Sequence, residues 1–243
     1  MTLAGKTVLV TGGATGIGWG IARAFAAAGC HVAISGRRAD ALRTAAESWS
    51  GTPPILWQVC DVAQRDSVRA LFQWAEQSLG ALDILVNSAG TNIKTRMMAD
   101  MQPEQWDEVL AINATGVYNC MYFALPGMRQ RRDGLIVNIS SISGKRAAPL
   151  GGVAYDASKF AVTALTTAAW NEEAPNGIRI TNVFPGEVNT PILEKRPAPV
   201  SDERKARMLL PEDIADMVLA IAQLPPRAHV PEIIIKPSVQ EYI

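Results

Sequence analysis

Thr7-Val8-Leu9-Val10-Thr11-Gly12-Gly13-Ala14-Thr15-Gly16-Ile17-Gly18 is a short apolar run that breaks into glycines and then enters an amphipathic helical pattern. The run 7–10 is apolar on both of its alternating faces, as expected for a strand of a parallel sheet covered by helices on each side. Glycines at a strand-to-helix turn permit tight backbone geometry and close approach of an anionic group. The helix that follows offers unpaired N–H groups and a favourable dipole at its N-terminus. Gly12, Thr15, Gly16, Ile17 and Gly18 are therefore candidates to cradle a pyrophosphate. Ordinary tight turns also use glycine; the position between a first strand and an amphipathic helix is what favours binding.

The same alternation continues outward from this turn. Strand-like runs fall at 31–35, 55–60, 84–87, 135–139, 179–184 and 232–235, separated by helical patterns at 17–28, 39–49, 65–79, 103–130, 152–173 and 211–223. Gly29 and Gly80 follow the last turns of two of these patterns, and Pro103 and Pro211 open two others. Alternating β and α units with short joins imply right-handed crossovers. The expected fold is α/β, a single doubly wound (Rossmann-type) parallel sheet of about seven strands with helices on both faces. One domain is expected over 1–243, holding both the dinucleotide and the chemistry. The stretch 191–210, rich in proline and charge, reads as a substrate lid or a solvated excursion.

Composition narrows the function. The chain has 243 residues, 48% hydrophobic and 19% charged, with a formal net charge of zero, so nothing electrostatic favours nucleic acid or an anionic membrane. No apolar run approaches the roughly 18 residues needed to span a bilayer. Residues 1–6 lead directly into a strand and leave no room for a signal peptide, so a cytoplasmic protein is expected. Cys30, Cys60 and Cys120 read as reduced core residues, and His31 and His229 are too isolated to form a metal site.

The second strand bears on the choice of dinucleotide. It ends in Ser35-Gly36-Arg37-Arg38, with no carboxylate until Asp40. An acidic residue there would bind ribose hydroxyls, whereas an Arg accommodates a 2′-phosphate. Arg37 and Arg38 therefore point to NADP(H), with NAD(H) as the alternative. Further on, Tyr155 and Lys159 stand four apart in a helical pattern and share a face. An adjacent ammonium lowers the pKa of a phenol toward the range useful for acid–base work. Taken alone, that spacing is common and usually structural.

The chain resembles the short-chain dehydrogenase/reductase family over nearly its whole length. The resemblance rests on Gly12-x-x-x-Gly16-x-Gly18, Asn87-Ser88-Ala89-Gly90, Asn113, Ser140-Ser141-Ile142-Ser143-Gly144, Tyr155-x-x-x-Lys159 and Pro185-Gly186, in that order. It implies an oxidoreductase that passes a hydride between the dinucleotide and a carbonyl or secondary alcohol. Tyr155 would be the acid or base, Lys159 would hold the nicotinamide ribose and lower the tyrosine pKa, Ser141 would bind the substrate oxygen, and Asn113 would anchor a water in the proton relay. Asp61 and Val62 would meet the adenine, Asn87, Ala89 and Gly90 would run along the cofactor, and Pro185, Gly186, Val188 and Thr190 would frame the carboxamide.

The chain departs from the family pattern in three places. Ser88 replaces an Asn, Ser141 lies 14 residues before Tyr155, one more than is common, and the C-terminus lacks a Gly-Gly. The second departure keeps Ser140 and Ser143 as alternatives to Ser141. The third weakens a close assignment to acyl-carrier-protein reductases. The resemblance also implies pairing of the 103–130 and 152–173 helices across a two-fold axis, hence a homodimer or homotetramer. Lys145 and Arg146, in the loop that would border the substrate, could attract an anion or simply face water. A non-catalytic dinucleotide-binding sensor is the alternative from another class; intact Tyr155, Lys159, Ser141 and Asn113 argue against it.

Overall fold

The structure, a computed structural model, describes residues 2–240. Side chains of the central strand β1 (Thr7–Thr11) are buried throughout, and successive ones enter opposite layers, as the period of two requires. Val8 and Val10 meet Ile21, Phe25, Ile34 and Val218 on one side; Leu9 meets Leu71, Leu85, Met121 and Val162 on the other. A helix layer therefore covers each face. Burial of each large side chain contributes roughly 1.5–3 kcal/mol.

Six further strands pair in parallel with β1 or with one another: β2 (His31–Gly36), β3 (Leu56–Val59), β4 (Ile84–Asn87), β5 (Gly134–Ile139), β6 (Ile178–Pro185) and β7 (Glu232–Ile235). The order is β3-β2-β1-β4-β5-β6-β7, the doubly wound sheet expected from the sequence. Strand order reverses between β1 and β4, and in such sheets ligands bind in the crevice beyond the carboxyl ends at that switch. The helices α1 (Gly16–Ala27), α2 (Ala39–Glu47) and α3 (Arg65–Leu79) follow the first three strands, and Gly29 and Gly80 take positive φ after helices as anticipated.

The single helix expected over 103–130 is broken. It consists of α4 (Pro103–Leu110), a π turn at Ala111–Thr115 and α5 (Gly116–Arg131). Asn113 lies in the wide turn with its amide directed inward: Nδ2 donates to the Thr91 carbonyl at 2.9 Å and to Ser158 Oγ at 3.0 Å, and Oδ1 accepts from Thr91 N–H at 2.8 Å. Gly116 follows, where a Cβ would stand 2.6 Å from Val62 Cγ2. Single π turns in α-helices are frequent at functional sites. Beyond lies α6 (Val153–Glu173), then a 3₁₀ turn at Pro191–Lys195, α7 (Asp202–Lys205) and α8 (Pro211–Gln223). The 191–210 stretch is thus folded into short helical turns.

A polar row crosses the covered sheet. Asn87, Asn138 and Asn182 occupy one register line across β4, β5 and β6. Asn87 Nδ2 donates to Asn138 Oδ1 at 2.8 Å, Asn138 Nδ2 donates to Thr166 Oγ1 of α6 at 2.8 Å, and Thr166 donates to Asn182 Oδ1 at 3.0 Å. The Asn87 side chain is thereby committed to the sheet interior. Its neighbours Ser88, Ala89 and Gly90 reach the crevice, whereas Asn87, expected along the cofactor, does not line it. Replacing Asn138 with Ala would strip the acceptor from buried Asn87 and a donor from Thr166. Urea unfolding of Asn138→Ala should show a loss of about 2–4 kcal/mol, because each orphaned buried group costs roughly 1–3 kcal/mol; a loss below about 0.5 kcal/mol would mean the row contributes little.

Candidate active site

At the carboxyl ends of the strands lies a cavity of about 1290 Å³, bounded by the glycine turn, the β2 end, the 88–96 loop, the 139–151 segment, Tyr155, Lys159 and the 185–207 segment. The glycine turn forms its floor. At Gly12 (φ +65°) a Cβ would lie 2.7 Å from the Ala89 backbone, and at Gly18 one would lie 2.3 Å from the Gly12 carbonyl oxygen. Both positions exclude side chains, which keeps the backbone close to any anion above it. No acidic side chain occupies the first turn of α1, so its dipole is unopposed there.

One end of the cavity is lined by Ser35, Gly36, Arg37, Arg38, Asp61 and Val62. Arg37 and Arg38 are exposed, and no carboxylate among the described residues lies within 4.0 Å of either guanidinium. Asp40, the nearest acid in sequence, pairs with Arg43 at 2.7 Å. The Ser35 hydroxyl is buried on this wall with no hydrogen-bond partner. Glycine floor, helix N-terminus and orphaned hydroxyl together fit an elongated phosphate-bearing dinucleotide.

At the other end stand Ser141, Tyr155 and Lys159. Of the three candidate serines, Ser141 is the one whose hydroxyl bears on the Tyr155 phenol, favouring its ionised form, while its Oγ accepts from Ser143 N–H at 3.1 Å. Ser140 instead donates to the Lys159 carbonyl at 3.3 Å, and Ser143 is turned toward Asp156. Burial pushes the Tyr155 phenol above its ordinary pKa, outweighing the Ser141 hydroxyl and the charge of Arg96. This differs from the lowering by Lys159 that the spacing suggested. The reason lies in Lys159 itself: it is 5% exposed, its Nζ donates to the Ile139 carbonyl at 2.9 Å, and desolvation lowers its pKa to about 8. The Asn113 amide spends both N–H donors on protein and leaves one Oδ1 lone pair uncommitted.

Pro185, Gly186, Val188 and Thr190 line the cavity along the β6 end. Beside them is a group that sequence reading missed. Glu187 Oε1 receives Arg196 Nη2 at 2.6 Å and Arg204 Nη2 at 2.8 Å, tying the 191–207 segment to β6. Burial alone would raise the Glu187 carboxyl, but the two guanidinium groups outweigh it and hold it below the usual range. Lys145 is turned away from the cavity, paired with Glu232 at 2.5 Å and lying 4.7 Å from the Phe184 ring centroid; of the two cations in this loop, Arg146 lines the cavity and Lys145 does not. The three cysteines are buried and free, as expected. No helix among the described residues is long and apolar enough to cross a membrane.

A doubly wound sheet with a crevice at its switch point is a scaffold on which many nucleotide-binding proteins are built, and sequence comparison makes the class specific. Residues 6–200 match the family model for short chain dehydrogenases. Acetoacetyl-CoA reductase from Rhizobium meliloti is 38% identical over 223 residues, covering 89% of this chain and 90% of that protein. Glycine betaine reductase from Emericella nidulans is 37% identical over 242 residues, but the match spans 97% of this chain and only 19% of that much longer protein. The solved alcohol dehydrogenase from Thermococcus sibiricus, complexed with 5-hydroxy-NADP, superposes with a TM-score of 0.88 at 26% identity, covering 98% and 99% of the two chains. The chain belongs to the short-chain dehydrogenase/reductase family and is an oxidoreductase of that family.

The buried lysine makes stability depend on pH in a defined direction. Its folded pKa, about 8, lies below the ordinary 10.5. Below about pH 8 both folded and unfolded states carry the proton, and the folded state bears the full desolvation cost. Between the two values the folded state sheds its proton first, so stability rises with pH. Relative to Lys159→Met, the wild-type protein should therefore gain up to about 3 kcal/mol between pH 8 and 10.5. A flat difference in unfolding free energy across that range would show that Lys159 titrates normally.

Proposed function

We propose that the protein interconverts a carbonyl and a secondary alcohol using NADP(H). The observation that carries this reading is the Ser141–Tyr155 pair above buried Lys159, at the far end of the cavity from Arg37 and Arg38. The dinucleotide, when bound, supplies or accepts the hydride. The turn from Gly12 through Thr15, Gly16, Ile17 and Gly18 would hold the pyrophosphate, Arg37 and Arg38 the 2′-phosphate, Asp61 and Val62 the adenine, and Ala89 and Gly90 the middle of the cofactor. Pro185, Gly186, Val188 and Thr190 would border the carboxamide. The NADP derivative in the solved archaeal relative supports the choice of dinucleotide.

On the protein side, Ser141 would donate to the substrate oxygen and fix its position. Tyr155 would give its phenolic proton to that oxygen as the carbonyl carbon is reduced, and take it back in the oxidative direction. A phenol kept protonated by burial suits the acid role. Lys159, able to lose or regain a proton near pH 8, would hold the ribose hydroxyls and resupply Tyr155. Asn113 would keep Thr91 and Ser158 in place and hold a relay water on its remaining lone pair.

The large side chains Trp106, Tyr118, Tyr122 and Phe160 are exposed on α4, α5 and α6, which supports association of these helices with a second copy. Light scattering at micromolar concentration should then report a dimer or tetramer; a monomer would refute it.

Two substitutions test the chemistry. With a panel of ketones and aldehydes, Tyr155→Phe should cut turnover by roughly 10²- to 10⁴-fold with cofactor affinity kept, and near-normal turnover would mean another proton donor. Arg37→Ala should weaken NADPH by about 10- to 150-fold, the worth of a charge-assisted phosphate contact, while sparing NADH. Equal losses for both cofactors would remove Arg37 from the 2′-phosphate.

A further inference from the structure

Arg96 lies on the connection between β4 and α4, on the wall of the cavity that also holds Ser141 and Tyr155. It is only 7% exposed. Its guanidinium donates from Nε to the Ile93 carbonyl at 2.7 Å, from Nη2 to the Lys195 carbonyl at 2.9 Å, and from Nη1 to the Leu150 carbonyl. These three neutral acceptors come from three different segments of the cavity wall. Among the described residues no carboxylate stands within 4.0 Å of it.

The cations of the neighbouring 191–207 segment have carboxylate partners. Arg196 and Arg204 share Glu187, and Arg207 pairs with Glu203. Asp156 is the acid whose charge reaches Arg96, yet its Oδ2 accepts from Ala148 N–H at 2.8 Å and its carboxyl is packed beneath Gly151, where a Cβ would fall 1.9 Å from Oδ1. Asp156 therefore acts on Arg96 from a distance and does not pair with it. Arg196 adds positive potential beside Arg96. A lysine so placed could shed its proton, but an arginine cannot. Burying an unpaired cation is unfavourable, and carbonyl dipoles offset only part of the lost hydration.

A guanidinium carries five N–H bonds; with three committed, two remain, enough for the fork that a carboxylate accepts. We propose that Arg96 is the specificity-determining residue of the substrate site and that the substrate is a short oxo acid, or the corresponding hydroxy acid, whose carboxylate Arg96 receives while Ser141 and Tyr155 engage its oxo group. The proposal rests on the carbonyl-reductase reading of this end of the cavity. It moves anion recognition from the Lys145–Arg146 pair suggested by the sequence to a buried residue in another loop. It also gives the three-way brace a function: Arg96 binds the 93, 150 and 195 segments together, so its charge is held in position before the substrate arrives.

The test compares wild-type protein, Arg96→Met and Arg96→Lys with NADPH and three matched pairs: pyruvate, acetoacetate and levulinate, each beside its methyl ester. Acids and esters differ in intrinsic reactivity, so the decisive quantity is the change in the acid-to-ester ratio of kcat/KM on substitution. For at least one pair the ratio should fall roughly 10- to 100-fold in Arg96→Met, the worth of a charge-assisted hydrogen-bonded contact, and by a smaller factor in Arg96→Lys, which keeps the charge without the fork. Equal losses for acid and ester would make Arg96 a structural brace only and overturn the proposal, as would an unchanged ratio.

Calorimetric titration with butyrate and butyramide in the presence of NADP⁺ supplies a second readout that needs no turnover and, on the wild-type protein alone, no stable variant. Butyrate should bind at least tenfold more tightly than the amide, and this preference should be lost in Arg96→Met. Esters reduced but butyrate bound no better than butyramide would overturn the anion site and leave the carbonyl reading standing. Butyrate bound through Arg96 with none of the six compounds reduced would overturn the carbonyl reading and retain the anion site.

Discussion

Two turns beyond Lys159, the Thr166 hydroxyl stands between Asn138 and Asn182 in the interior of the sheet. The rest of the site depends on this junction. A parallel sheet buried on both faces is ordinarily covered by apolar helices, and α6 could then rotate or slide at modest cost. A row of asparagines across three strands removes that freedom, because any placement of α6 that withdraws Thr166 leaves buried amides unsatisfied. Residues 159 and 166 are seven apart and share a face, so fixing one fixes the other. Ser140, at the end of β5, adds a bond to the Lys159 carbonyl, and the Lys159 ammonium reaches the last residue of the same strand. The phenol–ammonium face is positioned by polar chemistry in an otherwise apolar layer.

The site contains two buried cations of opposite character. Lys159 responds to desolvation with a pKa lowered to about 8, so it can release its proton within an accessible pH range. Arg96 has no such response and remains charged under any relevant condition. On the proposed reading, a proton-handling position and a charge-recognition position are thus separated by residue type as well as by place. Glu187 serves a third purpose. It draws Arg196 and Arg204 onto the end of β6, and with them the segment that closes the cavity.

Much of this was legible in the sequence, for identifiable reasons. Buried parallel strands are apolar runs, and those runs marked all seven strands within a residue or two of their observed ends. The glycine turn was legible because backbone geometry there admits nothing larger. Ordered motifs located Ser141, Asn113, Tyr155 and Lys159 in one neighbourhood. A motif does not say which way a side chain faces, however, and Asn87 shows the difference: it is the last residue of β4, with its amide bonded to Asn138, whereas Ala89 lies beyond the strand in the loop that borders the cavity, so residues 87 and 89 can share a motif without sharing a cavity. Arg96 and the Glu187–Arg196–Arg204 group were invisible because their partners are backbone carbonyls or distant side chains. Local pattern carries no trace of either. The phenol pKa was misjudged because spacing counts charges but not the water removed around them.

The π turn at Ala111–Thr115 has a consequence for how this chain tolerates change. A π turn is an α-helix with one residue too many, absorbed locally. Deleting one residue from 111–115 would let a continuous α-helix form with both flanks in their present register, so Val109 on one side and Val117, Met121 and Met128 on the other would stay against the core. A deletion within α5 itself has no such outlet and would rotate every later position by about 100°, since an α-helix has 3.6 residues per turn. What the shortened turn would lose is the placement of the Asn113 amide against Thr91 and Ser158: the extra residue serves the site, and the helix packing would survive without it.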